Sequence, residues 1–420
     1  MMRIGILGIG GFAANHWRAL EEVQRSGACR IVATAVIDPA NHPARLEELR
    51  GQGVAIFTDA EAMFDAMRGT MDAVAIPTPI HTHAPLMIAA VRSGYHVFLE
   101  KPAAATVQEF DEMVAAARAA GRICAVGFQW LHSRSIALLK LRVTEGALGA
   151  IERVTCTAGW IRKQEYYQRA SWAGRVRLGD HWVLDGSVNN PLAHYLVNML
   201  YLASTQRRTL ATPSAVRAEL YAGHDIESED TAAVEVLTRE GPRCYFLATL
   251  CADEHFNPEV VVHGTQGVAC HSPGRVSLRY NDGRIEEPAL DDSQLDVAKF
   301  ENFIAAAEAN DPSLLRCSLE MCRPHTLTVN GAFESARAVR RIGPAFLRVQ
   351  GQGPSTKTII DGIDAAIPQA ASEGALFSDL ELPWAHRTAT FDLSGYDRFP
   401  RQFQPPRPSE RAAPGGLPFA

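Results

Sequence analysis

A glycine-rich turn that directly follows an apolar run near the N-terminus restricts the fold more than any other feature of this sequence. The run covers residues 3–7, and the turn reads Gly8-Ile-Gly-Gly-Phe-Ala13. Glycine permits a tight turn and lets the backbone approach a pyrophosphate, while the final alanine lets the next helix pack on its strand. That helix, predicted over residues 12–25, would point free N–H groups at the phosphates. The pattern favours a dinucleotide-binding loop, with a ligand-free glycine turn as the alternative. The predicted ligand contacts of this loop are Gly8, Gly10, Gly11, Phe12 and Ala13.

A second apolar run, over residues 31–38, ends in a carboxylate, Asp38. It follows the glycine turn by about 25 residues, near where an acidic side chain accepts hydrogen bonds from a ribose diol. No basic residue follows before His42 and Arg45, so a 2′-phosphate would meet a repelling carboxylate. NAD is therefore favoured over NADP. The alternative is an Asp-Pro turn without a ligand.

Apolar runs and amphipathic stretches continue to alternate up to about residue 149. This alternation predicts an α/β Rossmann fold with a doubly wound parallel sheet. The further predicted strands are 54–57, 73–77, 97–99 and 123–128, and the further predicted helices are 85–93 and 107–120.

The predicted fifth strand ends in Glu100-Lys101-Pro102. Ligands of doubly wound sheets bind at the carboxyl ends of the strands, so Lys101 is expected where a ligand would lie. Pro102 removes a backbone donor and fixes the direction in which the chain leaves the strand. A surface Lys-Pro turn is the alternative.

With 420 residues, the chain is long enough for two domains. After Gly149, successive strand-like runs without intervening helices predict a second, α+β domain with a large, mainly antiparallel sheet. We expect domains at 1–149 and 150–350, followed by a C-terminal extension at 351–420. In the extension we predict a helix over 359–371, apolar anchors over 383–399 and a disordered end over 404–420. The predicted strands of the second domain are 152–160, 215–222, 231–237, 244–250, 260–263 and 275–280, and its predicted helices are 297–309 and 318–338.

The ordered combination of several motifs resembles the Gfo/Idh/MocA family of NAD(P)-dependent oxidoreductases over about residues 3–340. The resemblance implies a nicotinamide dinucleotide in the first domain, with Thr78, His83, Glu100 and Gln129 near it. It also implies that Lys101 contacts both cofactor and substrate in the catalytic site, and that the open face of the second sheet mediates homo-oligomerisation. One departure is Ile80, where the family often has asparagine. The motifs are the glycine loop with His16, Thr78-Pro79 with His83, Glu100-Lys101-Pro102, Gly127-Phe128-Gln129 and residues 145–151.

Residues 164–202 combine aromatic, arginine and amide side chains, a mixture that suits a polyhydroxylated ligand. The candidate substrate contacts are Arg169, Trp172, Asn190 and His194, together with Lys101; an aromatic loop that packs over the sheet is the alternative. His194 matches the catalytic histidine of the resembled family's Asp-x-Gly-x-His-x-x-Asp pattern. In this sequence Asn190, Leu192 and Val197 replace both acids and the glycine. Because Asn190 cannot take a proton, we expect Lys101 and His194 to work as a pair.

These residues favour hydride transfer between NAD and a secondary alcohol of a sugar or cyclitol. Two alternatives stay open: a glycosidase of the same fold that cycles NAD, and a catalytically inactive protein that senses a sugar or dinucleotide. The net charge of −6 disfavours nucleic acid as a partner, and no apolar run approaches the roughly 18 residues that a membrane span needs. The eight cysteines form no Cys-x-x-Cys pair, so we expect reduced thiols in a cytoplasmic protein and no metal site.

Overall fold

In a computed structural model, which describes residues 1–406, the N-terminal third of the chain forms a six-stranded parallel sheet. The strand order is β3-β2-β1-β4-β5-β6, as in a Rossmann fold. The predicted doubly wound sheet is therefore confirmed. The strands are β1 (Met2–Leu7), β2 (Cys29–Ala35), β3 (Ala55–Phe57), β4 (Ala73–Ile76), β5 (His96–Leu99) and β6 (Cys124–Val126), and the helices are α1 (Ala13–Arg25), α2 (Pro43–Gly51), α3 (Ala60–Ala66), α4 (His83–Arg92) and α5 (Val107–Ala120).

Helix α5 shows how local sequence sets the element bounds. Thr106 accepts a hydrogen bond from the backbone of Glu109, whose side chain bonds back to the Thr106 backbone, and this capping box starts the helix. Gly121 ends the helix in the left-handed conformation, at φ 59°. The predicted bounds of this helix, 107–120, are those observed.

A second sheet of ten strands follows, and most of its neighbouring strands are antiparallel. The order along the sheet is β16-β15-β14-β13-β7-β12-β11-β10-β17, with β20 also paired to β10. The prediction of a mainly antiparallel sheet is confirmed, although β7 and β12 run parallel at its centre. The strands are β7 (Ile151–Ile161), β8 (Arg177–Leu178), β9 (His181–Trp182), β10 (Pro213–Ala222), β11 (Thr231–Thr238), β12 (Arg243–Thr249), β13 (Cys251–Gly264), β14 (Gly267–Ser272), β15 (Arg275–Tyr280), β16 (Ile285–Glu286), β17 (Arg340–Arg341), β18 (Leu347–Gln350), β19 (Lys357–Ile360) and β20 (Phe391–Asp392), of which β8 and β9, and β18 and β19, form separate hairpins.

Helices cover the inner face of this sheet and connect it to the first one. The nonpolar side of α8 and of α10 belongs to the same core as inner-face residues such as Val234 and Phe246. Helix α9 instead returns to the first sheet, where Phe300 and Phe303 pack against Phe98 of β5. This packing places Lys299, which precedes Phe300 on the same helix, at the end of β5. The remaining helices are α6 (Arg134–Thr144), α7 (Gln164–Tyr167), α8 (Ala193–Ala203), α9 (Leu295–Ala309), α10 (Arg323–Ala336) and α11 (Ile363–Glu373).

The outer face of the second sheet is half covered by the C-terminal extension. Ile367 of α11 and Phe377 and Trp384, which follow it, pack on Tyr221 and Leu247 of the sheet in a separate apolar core. The prediction of an open-faced sheet therefore needs correction over β10, β11 and β12, because the chain itself buries this apolar surface. Over β14 the face stays accessible. The predicted helix at 359–371 starts four residues late, at Ile363, because residues 357–360 form β19.

All eight cysteines are free thiols, and all except the partly exposed Cys270 are buried. Among residues 1–406, no helix is long and apolar enough to cross a membrane. The predicted disordered end lies almost entirely outside the described residues.

Candidate active site

The glycine turn has the geometry that a bound pyrophosphate needs. Gly8 and Gly11 adopt φ values of 87° and 53°, which disfavour residues with a side chain. A Cβ atom on Gly10 would lie only 3.0 Å from Cε1 of His42. No side chain caps α1, and its first turn carries no acidic residue. The N–H groups of Ala13 and Ala14 donate to the carbonyls of Gly10 and Gly11 at 3.1 and 3.4 Å, and no side chain competes with an anion for this helix end.

Asp38 is half-buried, three residues after the end of β2 and next to the exposed Ile37. One carboxylate oxygen accepts a hydrogen bond from Nδ2 of Asn41 at 2.5 Å. Arg45, the first arginine after Asp38 in the sequence, pairs with Glu21 and Glu48. Since that guanidinium is already neutralised, the surroundings of Asp38 offer a ribose diol a carboxylate and offer a 2′-phosphate little positive charge.

Glu100, predicted near the cofactor, lies in a buried charged cluster. Its carboxylate is 2.9 Å from Nε2 of His16 and 3.5 Å from Nζ of Lys299. Burial works to raise the pKa of Glu100, but the charge of Lys299 and the hydrogen bond from His16 hold that pKa well below its usual range. Gly127 leaves room for this carboxylate, since a Cβ there would lie 2.5 Å from it. Glu100 thus anchors the end of β5 through its contacts with His16 and Lys299.

His83 and Thr78, also predicted near the cofactor, differ in position. His83 is buried, and its ring nitrogens lie 2.9 Å from the carbonyl of Pro102 and 2.7 Å from that of Thr78. It therefore ties the loop after β4 to the segment after β5. Thr78 is half-buried and accepts a hydrogen bond from the Thr82 hydroxyl. Gln129 is also half-buried, three residues after β6.

Lys101 is connected to the second sheet's loop by a continuous set of hydrogen bonds. Its ammonium donates to Oδ1 and to the backbone oxygen of Asn190, both at 2.9 Å. Nδ2 of Asn190 donates to Asp185 at 2.6 Å, and Asp185 also accepts from Arg169 at 3.1 Å. Burial lowers the pKa of Lys101, whereas the charges of Glu100 and Asp185 oppose this change. The predicted residues Lys101, Asn190 and Arg169 are thus brought together.

Trp172 lies over this set of residues without joining its hydrogen bonds. The Arg169 guanidinium stacks on Trp172 at 4.7 Å and on Tyr166 at 3.8 Å. Trp172 also packs against a small apolar cluster that contains Ile80 and Val183. Ile80 is buried there, which accounts for an apolar residue at a position where asparagine was expected.

His194 occupies the first turn of α8, one turn after Asn190. Its ring stands edge-on to Phe128 at 5.7 Å, and Nδ1 is buried without a hydrogen-bond partner among the described residues. Burial, and then the positive charge of Lys101, lower the pKa of His194 well below its ordinary value. His325 packs on Phe128 as well, and burial and the Lys101 charge lower its pKa to about 3. His194 is therefore neutral near pH 7, and the positive charge of Lys101 contributes to its lowered pKa.

Residues 2–128 match the sequence model of the Gfo/Idh/MocA oxidoreductase family, which describes its NAD-binding Rossmann fold. The first domain of the chain thus belongs to the Gfo/Idh/MocA family.

Relatives of this chain cover it to different extents. A 2,7-anhydro-N-acetylneuraminate hydratase of Mediterraneibacter gnavus is 32% identical over 177 residues, 42% of this chain and 44% of the relative. Inositol 2-dehydrogenase 1 of Saccharopolyspora erythraea is 26% identical over 284 residues, 65% of this chain and 80% of the relative. The WlbA dehydrogenase of Bordetella pertussis, solved with NADH and UDP-GlcNAcA, shares the fold at a TM-score of 0.65 and 22% identity, over 80% of this chain and 96% of that one.

Two buried acids near this site were not predicted as site residues. Asp185 is 2% exposed and follows Leu184, which adopts a φ of 50° and so turns the chain sharply. Glu229 accepts hydrogen bonds from the backbone N–H of Val188 and from the Ser228 hydroxyl, and burial raises its pKa to about 7. Asp185 was visible as an acid five residues before Asn190, but nothing in the sequence around Glu229 indicated its position.

Three buried potential metal ligands come together elsewhere, within the part of the chain that the structure describes: His224, Asp230 and Cys251. Nδ1 of His224 is 2.8 Å from Asp230 and 3.2 Å from the sulfur of Cys251, and Nε2 is 3.0 Å from the carbonyl of Arg162. These are hydrogen-bond distances. The cluster joins the first residues after β10 to the start of β13.

Proposed function

We propose that this Gfo/Idh/MocA chain is an NAD-dependent oxidoreductase that transfers hydride between nicotinamide and a secondary alcohol or ketone of a sugar, cyclitol or sugar derivative. The observation that carries the proposal is the hydrogen bonding of Lys101, at the carboxyl end of β5, to Asn190, one turn before His194. The glycine turn and Asp38 would hold the pyrophosphate and a ribose. The dehydrogenase name of one relative supports the substrate class.

In this proposal His194 acts as the general base. An alcohol must lose its hydroxyl proton as the hydride leaves carbon. Because the pKa of His194 lies well below its ordinary value, the imidazole is neutral at pH 7 and has a nitrogen lone pair for that proton. In the reverse direction the imidazolium would return the proton to the carbonyl oxygen.

Lys101 stabilises the oxygen on which negative charge develops. An ammonium group has three N–H donors, and two of these are bonded to Asn190. The third donor is left for the substrate oxygen, since no other acceptor for Lys101 occurs within residues 1–406. An oriented donor in a half-buried site stabilises a developing oxyanion strongly. When bound, the nicotinamide ring supplies the hydride acceptor or donor.

A reaction without net oxidation is the second candidate. The relative named as a hydratase supports it, because hydration of an anhydro sugar changes no overall oxidation state. A glycosidase that cycles NAD would use the same base and the same lysine. A binding protein without catalysis is the third candidate, and Asn190 in place of the family's acid keeps it open.

One experiment distinguishes the three candidates. The purified protein is mixed with NAD and a panel of sugars, cyclitols and sugar acids, and NADH absorbance at neutral pH is followed. Accumulation of NADH with one polyol supports the dehydrogenase. Cleavage of a chromogenic glycoside without net NADH supports the glycosidase, and binding of a panel member without either product supports the sensor.

We also propose that any self-association uses only the uncovered part of the outer sheet face. Val268 of β14 is 38% exposed there, between His263 and Arg279 of the neighbouring strands. Since the extension already buries the surface over β10, β11 and β12, a partner could not pack on it. Light scattering of the purified chain and of a Val268→Arg variant tests this: an unchanged oligomer in the variant contradicts the proposal.

A further inference from the structure

Residues 391–404, the C-terminal strap, contact both the unit built on the first sheet and the unit built on the second sheet. The strap begins with β20, which pairs with β10. Its Phe399 then exchanges two hydrogen bonds with the side chain of Gln108, on α5 of the first unit, at 2.8 and 3.0 Å. It ends at Gln404, whose N–H donates to the carbonyl of Arg337 after α10. The strap thus crosses from one unit to the other.

A buried carboxylate holds the strap in place. Glu334, on α10, is 0% exposed and accepts hydrogen bonds from the hydroxyl of Tyr396 and from the backbone of Arg401, Gln402 and Phe403, at 2.5–2.9 Å. The Gln402 side chain also donates to the backbone oxygen of Glu334. A carboxylate that accepts several backbone N–H groups fixes the chain path strongly, because charge-assisted hydrogen bonds are the stronger ones.

The aromatic residues of the strap pack on the substrate loop. Phe399 meets Trp182 edge-to-face at 4.9 Å, and Phe403 meets Phe333 of α10 at 5.0 Å. Both strap rings are buried, at 2% and 4% exposure. Trp182 is the last residue of β9, in the β8–β9 hairpin that precedes Asp185 and Asn190 in the sequence. Phe399 therefore packs against one side of that hairpin.

From Trp182 the chain runs directly to the residues that orient Lys101. Val183 packs on Ile80 and Ala105 of the first unit. The next residues, Leu184 and Asp185, donate backbone hydrogen bonds to Val176 and Arg175, which keep the loop closed. Asp185 binds Asn190, and Asn190 binds Lys101. A displacement of Trp182 would therefore move Asp185, three residues later, and through it Asn190, which binds Lys101.

We infer that the C-terminal strap is a positioning element of the substrate site, which acts through the contact of Phe399 with Trp182 to hold the loop at residues 177–190. The inference rests on the proposed function for its meaning in catalysis. The strap residues touch no reacting group. Their loss is expected to weaken substrate binding and to leave the glycine turn unaffected.

Three variants of the full chain test this role. Phe399→Leu removes the ring contact with Trp182 but keeps most of the apolar volume, and Phe399→Tyr keeps the ring. Phe391→Leu is the matched control, because Phe391 lies in the same strap but contacts Tyr396 rather than Trp182. Hydrogen–deuterium exchange of peptides within 177–190 is measured for each variant, together with NAD affinity and with KM for the polyol that gives NADH.

For Phe399→Leu we expect exchange within 177–190 to become about three- to tenfold faster, the factor that one aromatic pair contributes. KM should rise by a similar factor while NAD affinity stays the same, and Phe399→Tyr should restore both values. Equal exchange in Phe399→Leu and Phe391→Leu would overturn the inference. Faster exchange in Phe399→Leu alone supports the strap even if no polyol is oxidised, so the exchange result is independent of the proposed reaction.

Discussion

The ammonium of Lys101 donates to the side-chain oxygen of Asn190 at 2.9 Å, while the amide nitrogen of the same asparagine donates to Asp185 at 2.6 Å. The two contacts fix the orientation of the amide, because a flipped amide would turn N–H groups towards the ammonium. Asparagine at this position is therefore a connector between a cation and a carboxylate. Lys101 belongs to a chain of four polar groups, Lys101, Asn190, Asp185 and Arg169, in which the acid lies at 185.

Substitution of Lys101 by alanine should separate catalysis from cofactor binding. We expect turnover to fall at least about 100-fold, the typical size of an acid–base contribution. NAD affinity should stay nearly unchanged, since Asp38 and the glycine turn are untouched. Steady-state kinetics and calorimetric titration with NAD check this. The exposed Lys163→Ala variant is the control, and undiminished turnover in Lys101→Ala would refute the assignment.

Asp38→Ala should alter cofactor preference. The carboxylate would no longer accept hydrogen bonds from the ribose diol, so NAD affinity should fall by about tenfold or more, as expected for a charged hydrogen bond. NADP affinity should change less, because the substitution also removes a repulsion. Titration with both dinucleotides measures this, with the exposed Asp65→Ala as control. If both affinities fall equally, Asp38 does not contact the ribose.

Asp185→Asn should move one limb of the pH profile. The negative charge of Asp185 favours the charged form of Lys101, so its removal lowers the pKa of Lys101 further. If the ammonium is the active form, activity falls as pH rises through this pKa, and the alkaline limb of kcat/KM should shift to lower pH. The acid limb, set by His194, should stay in place.

The exchanged double variant, Asp185→Asn with Asn190→Asp, is the matched control for that shift. It restores one carboxylate to the chain and puts it directly against the ammonium. The alkaline limb should then return to the parent pH or move above it. A limb that stays shifted in the double variant would mean that charge is not the cause.

Glu229 should make stability depend on pH near neutrality. Its pKa is raised from 4.5 to about 7 in the folded chain, so the folded state resists ionisation of this group. Below pH 4.5 the group is protonated in both states and does not change the free energy of unfolding. As the pH rises from 4.5 towards 7, the free energy of unfolding falls by about 3 kcal/mol in total. Glu229→Gln should remove this loss. Urea unfolding at pH 5 and pH 8 measures it, and the exposed Glu254→Gln should behave as the parent chain does.

Local chemistry made much of the fold predictable. The glycine turn, the capping box at Thr106 and the alternation of apolar runs each act within a few residues, so they can be read along the chain. Strand β14 was not predicted, because its short run contains glycine, histidine and serine. The cover over the second sheet was also missed, since only the fold brings Ile367 to Leu247.

The candidate site was proposed from the sequence as a set of residues, but its contacts could not be predicted. Lys101 and His194 were identified by their motifs, whereas the bond from Lys101 to Asn190 joins residues 89 positions apart. Asp185 reaches Asn190 because Leu184 adopts a positive φ, and leucine gives no indication of that conformation. Glu100 and His83 were expected beside the cofactor. Their burial, which turns them into supports for β5 and for the loop after β4, depends on Lys299 and Pro102 from distant segments.

The contact of Gln108 with Phe399 spans 291 residues of sequence and has a consequence for how the protein is made. The first sheet has all of its strands once residue 126 has left the ribosome, so it can begin to fold while synthesis continues. The loop that orients Lys101 receives the contact of Phe399 only when that residue emerges, long after the first sheet has all of its strands. A nascent chain could therefore hold a dinucleotide long before its substrate loop takes its final shape.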